Sequence, residues 1–66
     1  MDEICRRLKQ ARKAKGLTQQ QVADHLNIHR TTYTKIETGQ TELTLSVLGK
    51  LVRLLEVDMA WLLNEL

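Results

Sequence analysis

Cys5 is the only cysteine in a chain of 66 residues, and those two facts together limit the fold more tightly than anything else in the sequence. A chain of this length is one compact unit, residues 1–66, with no room for a second domain. Ordering it costs on the order of 100 kcal/mol of conformational entropy, at about 1.5 kcal/mol per residue, against a small core. One cysteine cannot make an internal disulfide, it fits a reducing compartment, and a zinc staple is equally short of ligands. Regular packing has to hold the chain together instead. There is no proline and no phenylalanine, and Leu, Lys, Arg, Gln and Glu, the straight-chain helix formers, abound. The expected fold class is therefore all-α. The longest uncharged apolar run is residues 59–63, far short of the ~20 that cross a bilayer, and no signal-peptide core is visible at the N-terminus. These features predict a cytoplasmic chain with no membrane partner.

The net charge of +2 conceals an uneven distribution. Residues 1–35 hold eight Lys and Arg against three acids, +5, whereas residues 36–66 hold two against five, −3. Such asymmetry points to a polyanion for the basic part, although a basic stripe on a small helix also serves simply as a solvated face.

Period and punctuation divide the chain into five helices. Over residues 2–15, Ile4, Leu8 and Ala11 recur at three and four with Cys5 beside them, and Gly16 ends the segment at a left-handed position. Thr18-x-x-Gln21 reads as a capping box that opens a second helix with Val22, Ala23 and Leu26 turned inward. Asn27-Ile28 turns the chain, and a third helix runs over about residues 30–38 until Gly39 closes it. After a polar connection, Thr44 is the expected N-cap of a fourth helix with Leu45, Leu48, Leu51, Val52 and Leu55 on one stripe. Asp58 caps a short final helix from which Trp61 and Leu62 are expected to plug the core.

Residues 18–38 have helix-turn-helix spacing: Ala23 permits close approach of two helices, Asn27 turns, Ile28 anchors, and Tyr33 with Ile36 seats the third helix. At about 100° per residue, Arg30, Thr31, Thr34 and Lys35 share the outer side of that helix. A helix so decorated fits the major groove of double-stranded DNA, where Arg or Lys donates to guanine O6 and N7 and threonine meets base edges or a thymine methyl.

The run Leu17-Thr18-Gln19-Gln20-Gln21-Val22-Ala23, followed by Asn27-Ile28-His29-Arg30-Thr31-Thr32-Tyr33-Thr34-Lys35-Ile36-Glu37-Thr38-Gly39, resembles the lambda-repressor-like (Cro/C1-type, XRE) helix-turn-helix family. Leu55-Glu56-Val57-Asp58 and Trp61-Leu62-Leu63-Asn64 are similar to the last helix of its short phage repressors. The resemblance implies a compact five-helix DNA-binding domain and a sequence-specific transcriptional regulator. Arg30, Thr31 and Lys35 match base-contacting positions, with Thr34 flanking them. Gln19 matches a glutamine that contacts phosphate and braces the recognition helix, beside Thr18 at a helix N-terminus suited to an anion. Arg12 and Glu37 match a buried ion pair, which makes both structural. The chain also departs from the family. Gln40, Thr41 and Glu42 stand where Lys or Arg is frequent, so phosphate contacts there fall to Gln40, Thr41 and the fourth-helix cap Thr44. Glu56 stands where glycine is common and is strained if its φ is positive. Tyr33 replaces a smaller aliphatic residue, its ring expected in the core and its hydroxyl at the rim as a further phosphate contact.

Rival chemistries are poorly supplied. His25-x-x-x-His29 has a spacing found in zinc sites, but the turn at Asn27-Ile28 separates the two rings, so no metal is expected. Cys5 with a histidine lacks an acid, an oxyanion loop and a substrate pocket, so neither an enzyme, a cofactor nor a small-molecule substrate is expected. The serious alternative is a protein-binding helix-turn-helix module, an antitoxin or co-regulator; the cations Arg30 and Lys35 beside threonines favour DNA over it. Val47 and Leu54, off the core stripe, with Met59 and Leu66 form a candidate self-association patch for a homodimer on a palindromic operator, or else peripheral core.

Overall fold

The computed structural model describes residues 2–63. Five helices follow one another, α1 (Asp2–Ala14), α2 (Gln19–Leu26), α3 (Arg30–Glu37), α4 (Leu45–Leu55) and α5 (Met59–Leu63), with no strand among the described residues. Their boundaries are set by local chemistry. The Thr18 hydroxyl accepts from the Gln21 N–H at 3.0 Å and the Gln21 side chain accepts from the Thr18 N–H at 2.8 Å, which satisfies two of the donors a helix start leaves over. Thr44 accepts from the Val47 N–H at 3.2 Å, and Asp58 accepts from the Ala60 N–H at 3.0 Å. His29 occupies the N-cap of α3 without a side-chain cap.

The exits of the first four helices share one device. Gly16 (φ 75°), Asn27 (φ 59°), Gly39 (φ 77°) and Glu56 (φ 55°) all adopt the left-handed conformation. In each case the next N–H reaches back five residues, Leu17 to Arg12, Ile28 to Ala23, Gln40 to Lys35 and Val57 to Val52, closing the last turn. Asparagine tolerates that geometry, and Glu56, a residue that rarely visits it, is held there by the same closure.

One core unites the five helices: Leu8 and Ala11 from α1, Val22, Ala23 and Leu26 from α2, Tyr33 and Ile36 from α3, Leu48, Leu51 and Leu55 from α4, and Leu62 from α5. Each large side chain removed completely from water contributes roughly 1.5–3 kcal/mol. Ala23, fully buried, has no bulk to keep α2 and α3 apart. Two expectations fail here. Leu45, in the first turn of α4, is 79% exposed although it shares a stripe with the buried Leu48 and Leu51. Trp61 is 41% exposed; Leu62 alone plugs the core from α5, and in a five-residue helix only one position can face inward squarely.

Trp61 instead lies on the surface of α1. The Arg7 guanidinium sits 5.6 Å from its ring centre and donates from Nη1 to the Trp61 carbonyl at 2.5 Å, while Arg7 Nε donates to Glu3 at 3.0 Å. An open apolar groove of about 350 Å³ between α1 and α5 is lined by Gln10, Ala11, Ala14, Val57, Asp58 and Trp61. It holds no nucleophile paired with a base.

Candidate nucleic-acid interface

The geometry of the outer face of α3 depends on a polar cluster beneath it. Arg12 reaches from α1 to Glu37 at the last turn of α3, Nε to Oε2 at 2.6 Å and Nη2 to Oε1 at 3.3 Å, and its Nη1 donates to the Leu17 carbonyl at 2.8 Å. Both side chains are out of water, 8% and 1% exposed. Gln19, the first residue of α2, donates from Nε2 to Glu37 Oε1 at 3.0 Å and accepts on Oε1 from the Thr34 hydroxyl at 3.1 Å. Four side chains from α1, α2 and α3 thus join in one chain of hydrogen bonds that fixes the recognition helix in both rotation and height.

Burial works to raise the Glu37 pKa, but the donors aimed at the carboxylate, Arg12 first among them, more than offset it and leave it lowered. Arg12 is shifted up chiefly by its hydrogen bond to Glu37, so the pair is fully charged. The Tyr33 hydroxyl is buried beside this carboxylate, close enough to interact with it although the geometry falls short of a well-formed hydrogen bond. Burial, followed by its contact with the Glu37 carboxylate and that group's negative charge, pushes its pKa far above the ordinary value. Tyr33 is 0% exposed, so its hydroxyl does not reach the rim, where the expected phosphate contact requires it to be. The ring is longer than the aliphatic side chain it stands for, and its extra length is taken up inward, beside the ion pair.

Arg30, Thr31 and Lys35 stand exposed on one side of α3, with Thr34 half-buried between them and α2. Thr18 and Thr44 are exposed at the starts of α2 and α4; each hydroxyl oxygen accepts a backbone N–H and keeps its own proton to donate. Gln40 and Thr41 are exposed in the α3–α4 connection. Thr18, Gln19, Gln40, Thr41 and Thr44 therefore sit at helix starts and turns on either side of α3.

The +5 of the first 35 residues is much reduced by pairing. Arg6 and Arg7 meet Glu3, Arg12 meets Glu37 and Lys15 meets Glu56. Among the described residues, Lys9, Lys13, Arg30 and Lys35 are the cations of that stretch in no ion pair. Arg6, Arg7 and Arg12 of α1 thus serve internal contacts; the Glu3 pairs lie at helical spacing, whereas the Arg12–Glu37 pair spans 25 residues and leaves no periodic signal.

Of the self-association patch, Val47 and Leu54 are half-buried against the core, Met59 is 36% exposed, and Leu66 lies outside the described residues. Leu45, Trp61 and Leu63 are the exposed apolar side chains that the reading of the helical stripes missed. The Gln19–Thr34 contact was also invisible there, since a 15-residue separation leaves no periodic signal. Cys5 is buried on α1, and His25 and His29 are exposed on either side of the Asn27 turn.

Two helices joined by an asparagine turn, the second locked with its polar face outward and three further helices closing the core, define a helix-turn-helix domain. The chain belongs to the Cro/C1-type helix-turn-helix family, whose model matches residues 8–62. It is 46% identical over 58 residues to the SPbeta prophage-derived uncharacterized HTH-type transcriptional regulator YonR of Bacillus subtilis (strain 168), covering 88% of this chain and 54% of that protein. It is 43% identical over 57 residues to the uncharacterized HTH-type transcriptional regulator YqaE of the same organism, covering 86% and 49%. The chain thus spans about half the length of these curated relatives. No solved structure matches it.

Proposed function

We propose that this chain is the DNA-reading domain of a transcriptional regulator, placing α3 in the major groove of an operator and working as a homodimer on a palindrome. The observation that carries this reading is the pair Arg30 and Lys35: two exposed cations, in no ion pair among the described residues, on the outer face of a helix that Arg12, Glu37 and Gln19 hold rigid. Rigid presentation suits base reading, because the side chains meet base edges without first paying to order their helix. Thr18, Gln19, Gln40, Thr41 and Thr44 flank that helix with neutral donors, placed to hold the phosphates on either side of the groove and so to set its depth and register. The kinship to two proteins named as transcriptional regulators supports the same reading.

Selection of bound duplexes from a random pool tests it. A recurrent half-site, inverted about a centre with spacing near one helical turn, is the expected result. Recovery of unselected sequence would remove α3 as a reader and leave the exposed apolar side chains, and hence a protein partner, as the better lead.

A further inference from the structure

The hydrogen bonds beneath α3 do more than fix its position, because they also fix which atom carries each proton. Arg12 is a guanidinium with donors only, and it does not lose its charge. It donates twice to Glu37, so that carboxylate can only accept. Oε1 of Glu37 is met at 3.0 Å by Gln19, and only the amide nitrogen can stand there, since the reverse orientation would set two acceptors face to face. The Gln19 carbonyl is thereby turned toward Thr34. At 3.1 Å from the Thr34 oxygen, that carbonyl requires the hydroxyl to donate. The other group within reach of the same hydroxyl, the Arg30 carbonyl at 2.9 Å, is also an acceptor.

We infer that Thr34 meets DNA as an acceptor only, so that the base edge it reads carries an amino donor, adenine N6 or cytosine N4. A threonine at the end of a freely rotating bond serves donors and acceptors alike and carries little information. Here the single hydroxyl proton is held inside by Gln19 and Arg30, and what remains to face outward is lone pairs and the methyl group. The same polarity excludes Thr34 as a phosphate ligand, since phosphate oxygens also only accept. Arg12 and Glu37 become positioning residues for specificity although neither reaches the surface. Arg30 and Lys35 offer only donors, so Thr34 supplies the complementary polarity on the face and lets α3 distinguish base pairs that two cations would read alike.

This inference rests on α3 being the groove-entering helix, and the test separates the two. Operators selected from a random pool are remade with single functional groups deleted: adenine replaced by purine or cytosine by pyrimidin-2-one removes the amino group, and 7-deazapurines remove the N7 acceptor. Binding is measured for the parent, Thr34→Val and Thr34→Ser. At one position of each half-site, loss of the amino group should weaken the parent and Thr34→Ser about fivefold, the scale of one neutral hydrogen bond, and leave Thr34→Val nearly unaffected. Loss of N7 should weaken all three proteins alike. If a site is selected but no amino deletion couples to Thr34→Val, or if the coupling falls on an N7 acceptor, the inference is overturned and α3 remains the reader. If the parent selects no sequence, the DNA reading and this inference fall together.

Discussion

Glu37 is held as a carboxylate in a site that water does not reach, and its stability contribution has a definite pH dependence. Burial works to raise its folded pKa, but Arg12, then the Tyr33 hydroxyl and Gln19, outweigh that effect and leave it below the ordinary 4.5. A group with a lowered folded pKa contributes fully above its unfolded value and loses that contribution as pH falls through the folded one. The melting temperature should accordingly drop on acidification from about pH 4.5 downward, and the acid limb measured by circular dichroism should be shallower in Glu37→Gln. At neutral pH, Glu37→Ala strands Arg12 without its partner and should cost about 3–5 kcal/mol, a large part of the stability of so small a domain. An unchanged melting temperature with lost DNA affinity would move Glu37 from the scaffold to the interface. Tyr33 gives the opposite case at the same spot. Its buried hydroxyl makes only a poorly aligned contact with the Glu37 carboxylate, so Tyr33→Phe should cost less than about 1 kcal/mol of stability and leave the affinity for DNA unchanged. A selective loss of affinity would show that the hydroxyl reaches a phosphate after all.

Two elements, α3 and α4, carry contrasting design pressures. In the proposed complex the polar face of α3 does the reading, and the roles of its neighbours separate by what they could touch. Arg30→Ala or Lys35→Ala should cost about 1–3 kcal/mol on the preferred site and relax base preference, whereas Gln19→Ala should weaken all sequences and alter preference only at the base pair that Thr34 reads. Matching selection profiles for parent, Arg30→Ala and Lys35→Ala would refute the division. On α4 the sequence carries a glycine in the helix interior, where neither its backbone nor its surroundings require one: Gly49 has ordinary negative φ and open space where a Cβ would stand. Gly49→Ala should therefore stabilise the domain by about 0.5–1 kcal/mol in urea denaturation. A destabilised variant would mean that this surface of α4 is covered in the working protein.

The whole molecule measures 33 × 23 × 19 Å, and its longest extent is close to one turn of DNA, about 34 Å. One copy presents one eight-residue recognition helix and few unpaired cations, so it has little to hold a site with. Two copies related by a twofold axis can set their α3 helices in successive major grooves of one face. If α2 and α3 face DNA as proposed, the exposed apolar side chains left for the axis among the described residues are Leu45, Met59, Trp61 and Leu63, with Val47 and Leu54 half-buried beside Leu45 and Met59 in sequence. Sedimentation of Leu45→Glu and Met59→Glu beside the parent, with titration of a palindrome and an isolated half-site, should show the parent favouring the palindrome and at least one charged variant losing that advantage. Equal binding of parent to both duplexes would end the symmetric mechanism. Leu54 and Val47 are less suitable probes, since charge there would also strike the core they half cover.

What the chain by itself determined is everything decided within one helical turn. The capping box at Thr18, the asparagine turn at Asn27, the caps at Thr44 and Asp58 and the left-handed glycines all depend on contacts between residues two to five apart, and such contacts are written in adjacent letters. The stripe that places Leu48, Leu51 and Leu55 inward, and the outward set on α3, follow from the 3.6-residue period for the same reason. Tertiary structure decided what period cannot. Whether Leu45 or Trp61 is covered depends on where a neighbouring helix ends, and a short helix offers too few turns for its pattern to say. Which cations stay available for an anion depends on carboxylates up to 41 residues away, as Lys15 and Glu56 illustrate. The inward proton of Thr34 is likewise a property of three helices at once, imposed by an ion pair that joins residues 25 apart.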